Sequence, residues 1–382
     1  MKNKIWVLLL FLLIGCTTVG EGSTKKEKEL KPQKREPKIS EVSFSAVGDN
    51  LIHDPIYVYN KDTDGSYNFD DVYKHTKTLT SNSDISYINL ETLCAGESLG
   101  LSGYPTFNAP KEILNGLYNS GFNWLSASSN HSMDRGEAGI VEELTYAEKY
   151  PNMIISGIRK SAADEKLYVK EVHGVSIGFS SYTYGLNGFL LPEGKEYLVN
   201  LIDYEQIKTD VEKLKTMSNV QVVSMHWGDE YTLLPNEEQQ KLAQYLSDLG
   251  VDVIVGTHPH VIQPTEMING KDGNETLVIY SLGNFLSAQD ESHRMLGGMA
   301  RWKIEYDHEK QDFIFKDIEF WPTVTLISEN YTRYETYALK DYTDELAKQH
   351  SLFLHEGKDV SREFFVHLSE TVVTSDRVKL VY

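Results

Sequence analysis

A layered α/β fold is what this chain of 382 residues predicts, on two observations. Strand-like and helix-like apolar runs alternate from Glu41 to about Pro322, the order in which a sheet flanked by helices is written along a chain. Several of the β-rich runs also stop at short polar clusters: Asp49 after VSFSAVG, Glu91 after ISYINL, Asn130-His131 shortly after FNWLSAS, His226 after VQVVSM, and His258-Pro259-His260 after VDVIVGT. Open α/β sheets build their sites at the carboxyl ends of strands, so these side chains are expected to meet along one edge. Asp, Glu, Asn and His converging there point to a metal site.

Taken in order, residues 1–16 read as an address. Lys2 and Lys4 precede the apolar run Ile5 to Ile14, and Gly15 stands before Cys16: a charged region, an apolar region and a small residue ahead of a cysteine. The run is too short to span a bilayer comfortably, which speaks against an uncleaved anchor carrying a chance cysteine. The pattern resembles a bacterial lipoprotein signal, which implies that Cys16 becomes the lipidated first residue of an exported protein held at the extracytoplasmic face of the cell membrane; two or more acyl chains give firm anchoring. Residues 17–40 read as a flexible tether rich in Lys, Glu, Pro and Gly, with no apolar period to offset the entropy of ordering. Its Lys25, Lys26, Lys28, Lys31, Lys34 and Arg35 either rest on anionic headgroups or stay solvated.

Residues 41–322 form the expected main domain. Helical periods fit Asp70 to Ser81, Lys111 to Asn119, Gly136 to Lys149, Tyr204 to Met217 and Glu237 to Leu249, each ahead of another apolar strand. Leu167 to Tyr182 contains two alternating runs around His173-Gly174 and reads as a hairpin. Gly298 to Tyr306 and Asp312 to Trp321 form a second pair. Residues 323–382 read as an extension packing on the domain, with a helix near Asp341 to His350 and a final strand from Arg377 to Tyr382.

The formal net charge is −19, falling to about −21 once Lys2 and Lys4 leave with the signal. Such a surface repels nucleic acid and excludes that class of partner. It equally opposes a polyanionic polymer unless a basic patch or bound cations reverse the field. With Cys16 committed to lipid, Cys94 has no partner for an intramolecular disulfide and reads as a small buried residue, since no activating neighbour can be named for it.

The sharpest local signal is His258-Pro259-His260. Proline disfavours the α region for the residue before it, so His258 is expected to be extended. In an extended chain residues two apart share a side, which lets both imidazoles face one centre. Asn130 offers a neutral amide oxygen and His131 a proton donor toward charge developing on a substrate. The structural alternative is a helix cap, with Asp134 a further capping candidate. Asp49 and Glu91 are likewise either turn residues or carboxylates able to bridge cations.

Six ordered motifs carry a family resemblance: Val47-Gly48-Asp49, Asn89-Leu90-Glu91, Asn130-His131 with Asp134 and Gly136, His226-Trp227-Gly228 with Glu230-Tyr231, Gly256-Thr257-His258-Pro259-His260, and Ser281-Leu282-Gly283-Asn284-Phe285. From about Val42 to Leu286 the chain resembles the CapA family of capsule and poly-gamma-glutamate synthesis proteins, within the calcineurin-like metallophosphatase superfamily. The resemblance implies a four-layer α/β/β/α sandwich with one or two divalent ions (Mn, Zn or Fe) at a sheet edge. It implies that Asp49 and His260 hold one metal, that Glu91 bridges, that Asn130, His226 and His258 hold the other, and that His131 is the acid or transition-state donor. Leu51 stands where the superfamily usually has a histidine; His53 is nearby, at a different spacing, as a possible metal or substrate contact.

Trp227, Glu230, Tyr231 and Asn284 adjoin these motifs and read as substrate-binding, with loop packing the alternative for Trp227 and Tyr231. Arg159 reads as an anion contact or an ordinary surface arginine. Three functions are then in view: a lipid-anchored protein supporting synthesis or export of capsule or poly-gamma-glutamate, a general phosphoesterase of the cell envelope, or a non-catalytic polymer-assembly subunit. The expected partners are the membrane, polymer synthase or export subunits, and an anionic polymer or phosphorylated precursor.

Overall fold

The computed structural model describes residues 38–382. The signal, Cys16 and most of the tether lie outside the described residues. Four strands open the first sheet: β1 (Ile39–Asn50), β2 (Ile85–Leu90), β3 (Trp124–Ser126) and β4 (Ile154–Ser156). The chain then crosses to a second sheet made of β5 (Tyr168–Val172), β6 (Val175–Thr183), β7 (Val220–His226), β8 (Val253–Thr257), β9 (Thr265–Asn269) and β10 (Glu275–Ile279). It returns to the first through β11 (Asn284–Leu286), β12 (Leu296–Asp307), β13 (Asp312–Ser328), β14 (Arg333–Ala338) and β15 (Lys379–Leu380). The spatial orders are β14-β13-β12-β1-β2-β3-β4 and β5-β6-β7-β8-β10-β9, with β11 beside β1 and β15 beside β13.

Strands β1 to β4 run parallel, as do β6, β7, β8 and β10, so each sheet gathers several carboxyl ends at one edge. Parallel strands are covered on both faces and read as continuous apolar runs, and every residue of β2, β7 and β8 is buried. The sheets face one another. The Tyr87 hydroxyl and Ser224 Oγ are 2.7 Å apart across the interface, Ser224 donates to Ser126 at 3.0 Å, and the Trp124 and Phe179 rings lie 4.4 Å apart.

Helices form the outer layers. They are α1 (Asp54–Val58), α2 (Asp70–Tyr73), α3 (Lys77–Thr80), α4 (Ile113–Asn119), α5 (Gly136–Ala147), α6 (Tyr204–Lys215) and α7 (Glu237–Asp248), then α8 (Asp344–Gln349), α9 (Ser351–Glu356) and α10 (Arg362–Val372). Alternation along β7 turns Val223 and Met225 outward onto Ile207 and Val211 of α6 and Leu242 and Leu246 of α7. Both helices start on polar caps: Asp203 accepts from Gln206 N, and Asn236 with Gln239 forms a capping box. Val72, Tyr73, Leu114 and Leu117 of α2 and α4 are buried in the core around the first sheet. The result is the four-layer α/β/β/α arrangement.

Two sequence expectations change in detail. The helix read from Asp70 to Ser81 is broken into α2 and α3. Strand β13 passes through Pro322 and Thr323, where the extension was drawn, without interruption. Pro322 stands opposite Gly298, and β14 continues the sheet beyond it. Among the described residues no helix is long and apolar enough to cross a membrane.

Candidate metal centre

The centre begins with a defect in β1. Up to Val47 the strand pairs with β12 on one side; at Asp49 that side pairs instead with β11, opposite Asn284, and the register with β2 shifts between Val47 and Asp49. Bulges of this kind re-aim a side chain. Gly48 permits it, because a Cβ there would stand 1.9 Å from the Gly283 carbonyl oxygen. Asp49 N then donates to Gly283 O at 2.8 Å, and the carboxylate turns toward the second sheet.

Asp49 is fully buried, with Oδ1 accepting from Asn89 Nδ2 at 2.8 Å and Oδ2 lying 3.0 Å from His260 Nδ1. Asn284 Oδ1 also meets His260 Nδ1, at 3.1 Å, which directs the other ring nitrogen to Glu91, 3.6 Å away. His226 Nε2 lies 3.7 Å from the same Glu91 oxygen and 2.9 Å from Asn130 Oδ1, while its Nδ1 contacts Thr257 Oγ1 at 3.0 Å. The His258 ring stands 4.8 Å from that of His226 and 5.8 Å from that of His260. The six expected donors thus share one buried cluster.

Two groups have ligand atoms within 4.8 Å of one another: Asp49, Glu91 and His226, and Glu91, His258 and His260. Glu91 belongs to both. The remaining partition differs from the one the family resemblance implies, since Asp49 groups with His226 and His258 with His260. His53 is in neither group. Its Nδ1 accepts from Ala288 N at 3.2 Å, and burial lowers its pKa to about 4. Leu51 is buried and bonds its amide to Leu286 O at 2.9 Å.

The residues fit a cation. Glu91 Oε1 and His258 Nδ1 are buried without a hydrogen-bond partner, a costly state for polar atoms in an apolar core. Burial lifts the Glu91 carboxyl well above its ordinary range. Burial pushes the His226 ring well down and that of His258 to about 3, so both present neutral lone pairs. At His260 burial acts the same way, but Glu91 and Asp49 outweigh it and hold the ring up at about 9. Carboxylate, carboxamide and imidazole donors are the set suited to Mn, Zn or Fe.

His258 and His260 converge by a route other than extension. Both have positive φ, 98° and 59°, so the tripeptide turns sharply instead of running as a strand. The preference of a pre-proline residue for extended backbone yields to the tertiary frame, a strain often seen at ligand sites.

His131 lines a cavity of about 540 Å³ next to the cluster, together with His53, Phe107, Asn187, Glu230 and Tyr231. Its Nδ1 is 2.7 Å from Asp134 Oδ2, which also accepts from Phe107 N at 2.5 Å, and the Phe107 ring lies edge-on 4.6 Å away. Neither Asn130 nor Asp134 caps α5, whose N-cap is Arg135 with no side-chain capping bond. Tyr231 lies beneath the Arg294 guanidinium, 3.6 Å from it, and donates its amide to Pro259 O at 2.7 Å.

Three expected contacts sit elsewhere. Trp227 points to the opposite face of β7, where its Nε1 donates to Tyr280 O at 2.9 Å in the core beneath α7, so it packs and does not face the cavity. Asn284 is fully buried, its amide nitrogen held by Gln289 Oε1 and Arg294 O and its oxygen 3.1 Å from His260 Nδ1, and it is not among the residues lining the cavity. Arg159 donates to Tyr197 O at 3.1 Å, a structural contact. Cys94 is buried, its thiol pushed up by burial. The sequence reading missed Tyr184, whose ring is 4.6 Å from His258, and Asn187, which bonds Asn130. Both follow the carboxyl end of β6, one more strand end of the kind that flagged the others.

The family described as bacterial capsule synthesis protein PGA_cap matches residues 43–289, more than half of the chain. The chain is 34% identical over 214 residues to the PGA biosynthesis protein CapA of Bacillus subtilis, covering 51% of this chain and 53% of that protein, so it spans about half the length of that relative. It is 26% identical over 303 residues to the capsule biosynthesis protein CapA of Bacillus anthracis, covering 75% and 70%. Among solved structures it is similar to a phosphatase of Mycoplasma pneumoniae at 13% identity and a TM-score of 0.45, covering 75% of this chain and 94% of that one. The chain belongs to the PGA_cap family of bacterial capsule synthesis proteins.

Proposed function

We propose that this protein is an exported, lipid-anchored member of its family that supports synthesis or export of capsule or poly-gamma-glutamate through a phosphatase-like metal centre. One observation carries the reading: buried carboxylate, carboxamide and imidazole groups from both sheets surround Glu91 Oε1, which has no hydrogen-bond partner. The family match supports the polymer role, and the charged, apolar and cysteine-ended first 16 residues support the anchor.

Asp49, Glu91, Asn130, His226, His258 and His260 would hold one or two divalent ions, which when bound supply Lewis-acid stabilisation of a phosphoryl group and a nucleophile at neutral pH. The remaining chemistry falls to the chain itself. Asp134 accepts from His131 Nδ1 and orients the ring, so that in its protonated form His131 can donate from Nε2 to a leaving oxygen. Asn89 and Asn284 keep Asp49 and His260 in register. Phe107 and Tyr231 border the cavity and limit water around the reacting group.

Metal analysis of the full chain in detergent, beside hydrolysis of a model phosphodiester by wild type and His131→Ala, tests this. Near-stoichiometric metal in both, with turnover lost only in the variant, supports the catalytic reading. Metal without turnover in wild type leaves a structural centre in an assembly subunit, and no metal after reconstitution overturns the centre. Polymer yield in producing cells carrying His131→Ala separates the capsule role from a general envelope phosphoesterase, which would leave the polymer unchanged.

A further inference from the structure

A carboxamide serves a cation only through its oxygen, since the nitrogen has no lone pair to give, and the two ends are nearly identical in size. What decides which end points inward is the set of partners around it. Asn130 Oδ1 lies 2.9 Å from His226 Nε2, inside the donor cluster, and Asn130 Nδ2 donates outward to Asn187 Oδ1 at 3.2 Å. Rotated by half a turn, Asn130 would aim its NH₂ at the cluster and leave Asn187 Oδ1 facing another oxygen.

Asn187 is well suited to hold that acceptor in place. It sits in the loop after β6 with φ 51°, followed by Gly188 at 85°, a pair of left-handed residues that Asn and Gly adopt readily and that reverses the chain. Leu186, 5% exposed, anchors the loop in the core. Asn187 Nδ2 also lies 3.4 Å from His131 Nδ1, but that nitrogen carries its proton toward Asp134 at 2.7 Å, so the approach is a packing contact. The hydrogen bond that Asn187 makes with this pair is the one to Asn130.

We propose that Asn187 is a positioning residue for the metal centre: its side-chain oxygen locks the Asn130 carboxamide with the oxygen turned to the cation. The inference rests on the metal-centre reading above, and goes beyond the six donors to a residue on a separate loop that touches no metal itself.

The test is metal affinity of the full chain, measured by competition between Mn²⁺ or Zn²⁺ and a chromogenic chelator, for wild type, Asn187→Gly, Asn187→Asp, Asn130→Ala and the double variant Asn130→Ala/Asn187→Gly. Glycine and aspartate both tolerate the left-handed backbone, so the comparison isolates the acceptor oxygen. Asn187→Gly is expected to weaken binding about 10- to 100-fold, as loss of a ligand's supporting partner does. Asn187→Asp, which keeps an acceptor, is expected to restore most of it. In the double variant the glycine change should cost nothing beyond Asn130→Ala, because a residue acting only through Asn130 has nothing left to act on. Wild-type affinity in Asn187→Gly, equal losses in the Gly and Asp variants, or additive losses in the double variant would overturn the proposal while leaving the metal centre standing. If Asn187→Gly does not fold, retention or loss of affinity in Asn187→Asp decides. Failure of the unmutated protein to bind either ion removes the metal centre and this inference with it.

Discussion

The two sheets bring different chemistry to their common edge. The first contributes oxygen donors, Asp49 at the end of β1, Glu91 after β2 and Asn130 beyond β3, whereas the second contributes nitrogen, His226 at the end of β7 and His258 and His260 beyond β8. Some supports lie within a sheet, Asn89 for Asp49 and Thr257 for His226, and others cross between them, Asn284 of β11 for His260 and Asn187 after β6 for Asn130. Neither half contains a complete ligand set. The difference teaches that the candidate centre is completed only at the seam between the sheets, and that each sheet alone carries part of its donor set.

Substituting across the seam should break this most completely. Glu91→Ala from one side or His258→Ala from the other is expected to cost more affinity than the roughly 100-fold typical of losing a supporting partner, since each removes a donor outright. Equilibrium dialysis with Mn²⁺ or Zn²⁺ measures it, and equal losses from the two sheets would confirm that both halves are needed. Next come the glycines that let the donors approach. A Cβ at Gly48 would stand 1.9 Å from Gly283 O, and one at Gly256 2.0 Å from Tyr280 O. Gly48→Ala and Gly256→Ala should each destabilise by about 3 kcal/mol in urea unfolding, the upper range for overpacking.

A third comparison sets Glu91 beside Glu143, another buried carboxylate near the first sheet. Glu143 has the partner that Glu91 Oε1 lacks, accepting from Cys94 N at 2.6 Å, yet burial still raises it to about 7. A carboxyl raised above its unfolded value stabilises fully below the unfolded pKa and loses that contribution as pH rises toward 7. Stability should therefore fall from about pH 5 to 7, by at most about 1.4 kcal/mol per pH unit from this group, and Glu143→Gln should flatten that slope in thermal melts. The smallest effect is expected at Trp227. Trp227→Phe should lower stability by about 1 kcal/mol through the lost bond to Tyr280 and leave metal affinity unchanged; a changed affinity would return Trp227 to the site.

Much of this was legible in sequence because strand ends are marked by composition. A β-rich run that stops at Asp, Glu or His announces both the strand and the edge where its side chain emerges, and the pairs β5/β6 and β12/β13 follow the alternation read from Leu167 to Tyr182 and from Gly298 to Trp321. What escaped depends on tertiary context. The opposite facing of Trp227 and His226 is a matter of strand parity at the point where β7 leaves the sheet, and the burial of Asn284 depends on β11 slipping beside Asp49. Strand β14 and helices α9 and α10 lie in a stretch whose apolar residues lack one clean period, because they pack onto a sheet assembled largely from earlier strands. Tyr184 and Asn187 went unnoticed because the run before them was read as a hairpin arm instead of a parallel strand with an end of its own.

The division of donors between the sheets also governs when an ion can be chosen. No contiguous stretch carries more than two of the six donors, His258 and His260, so the unfolded chain gathers no such set and has little selectivity to exercise. Under the proposed function, occupancy would be decided where the architecture finally closes, by whichever hard or borderline cation is available there, and the affinity order of free ligands would matter less than the local supply.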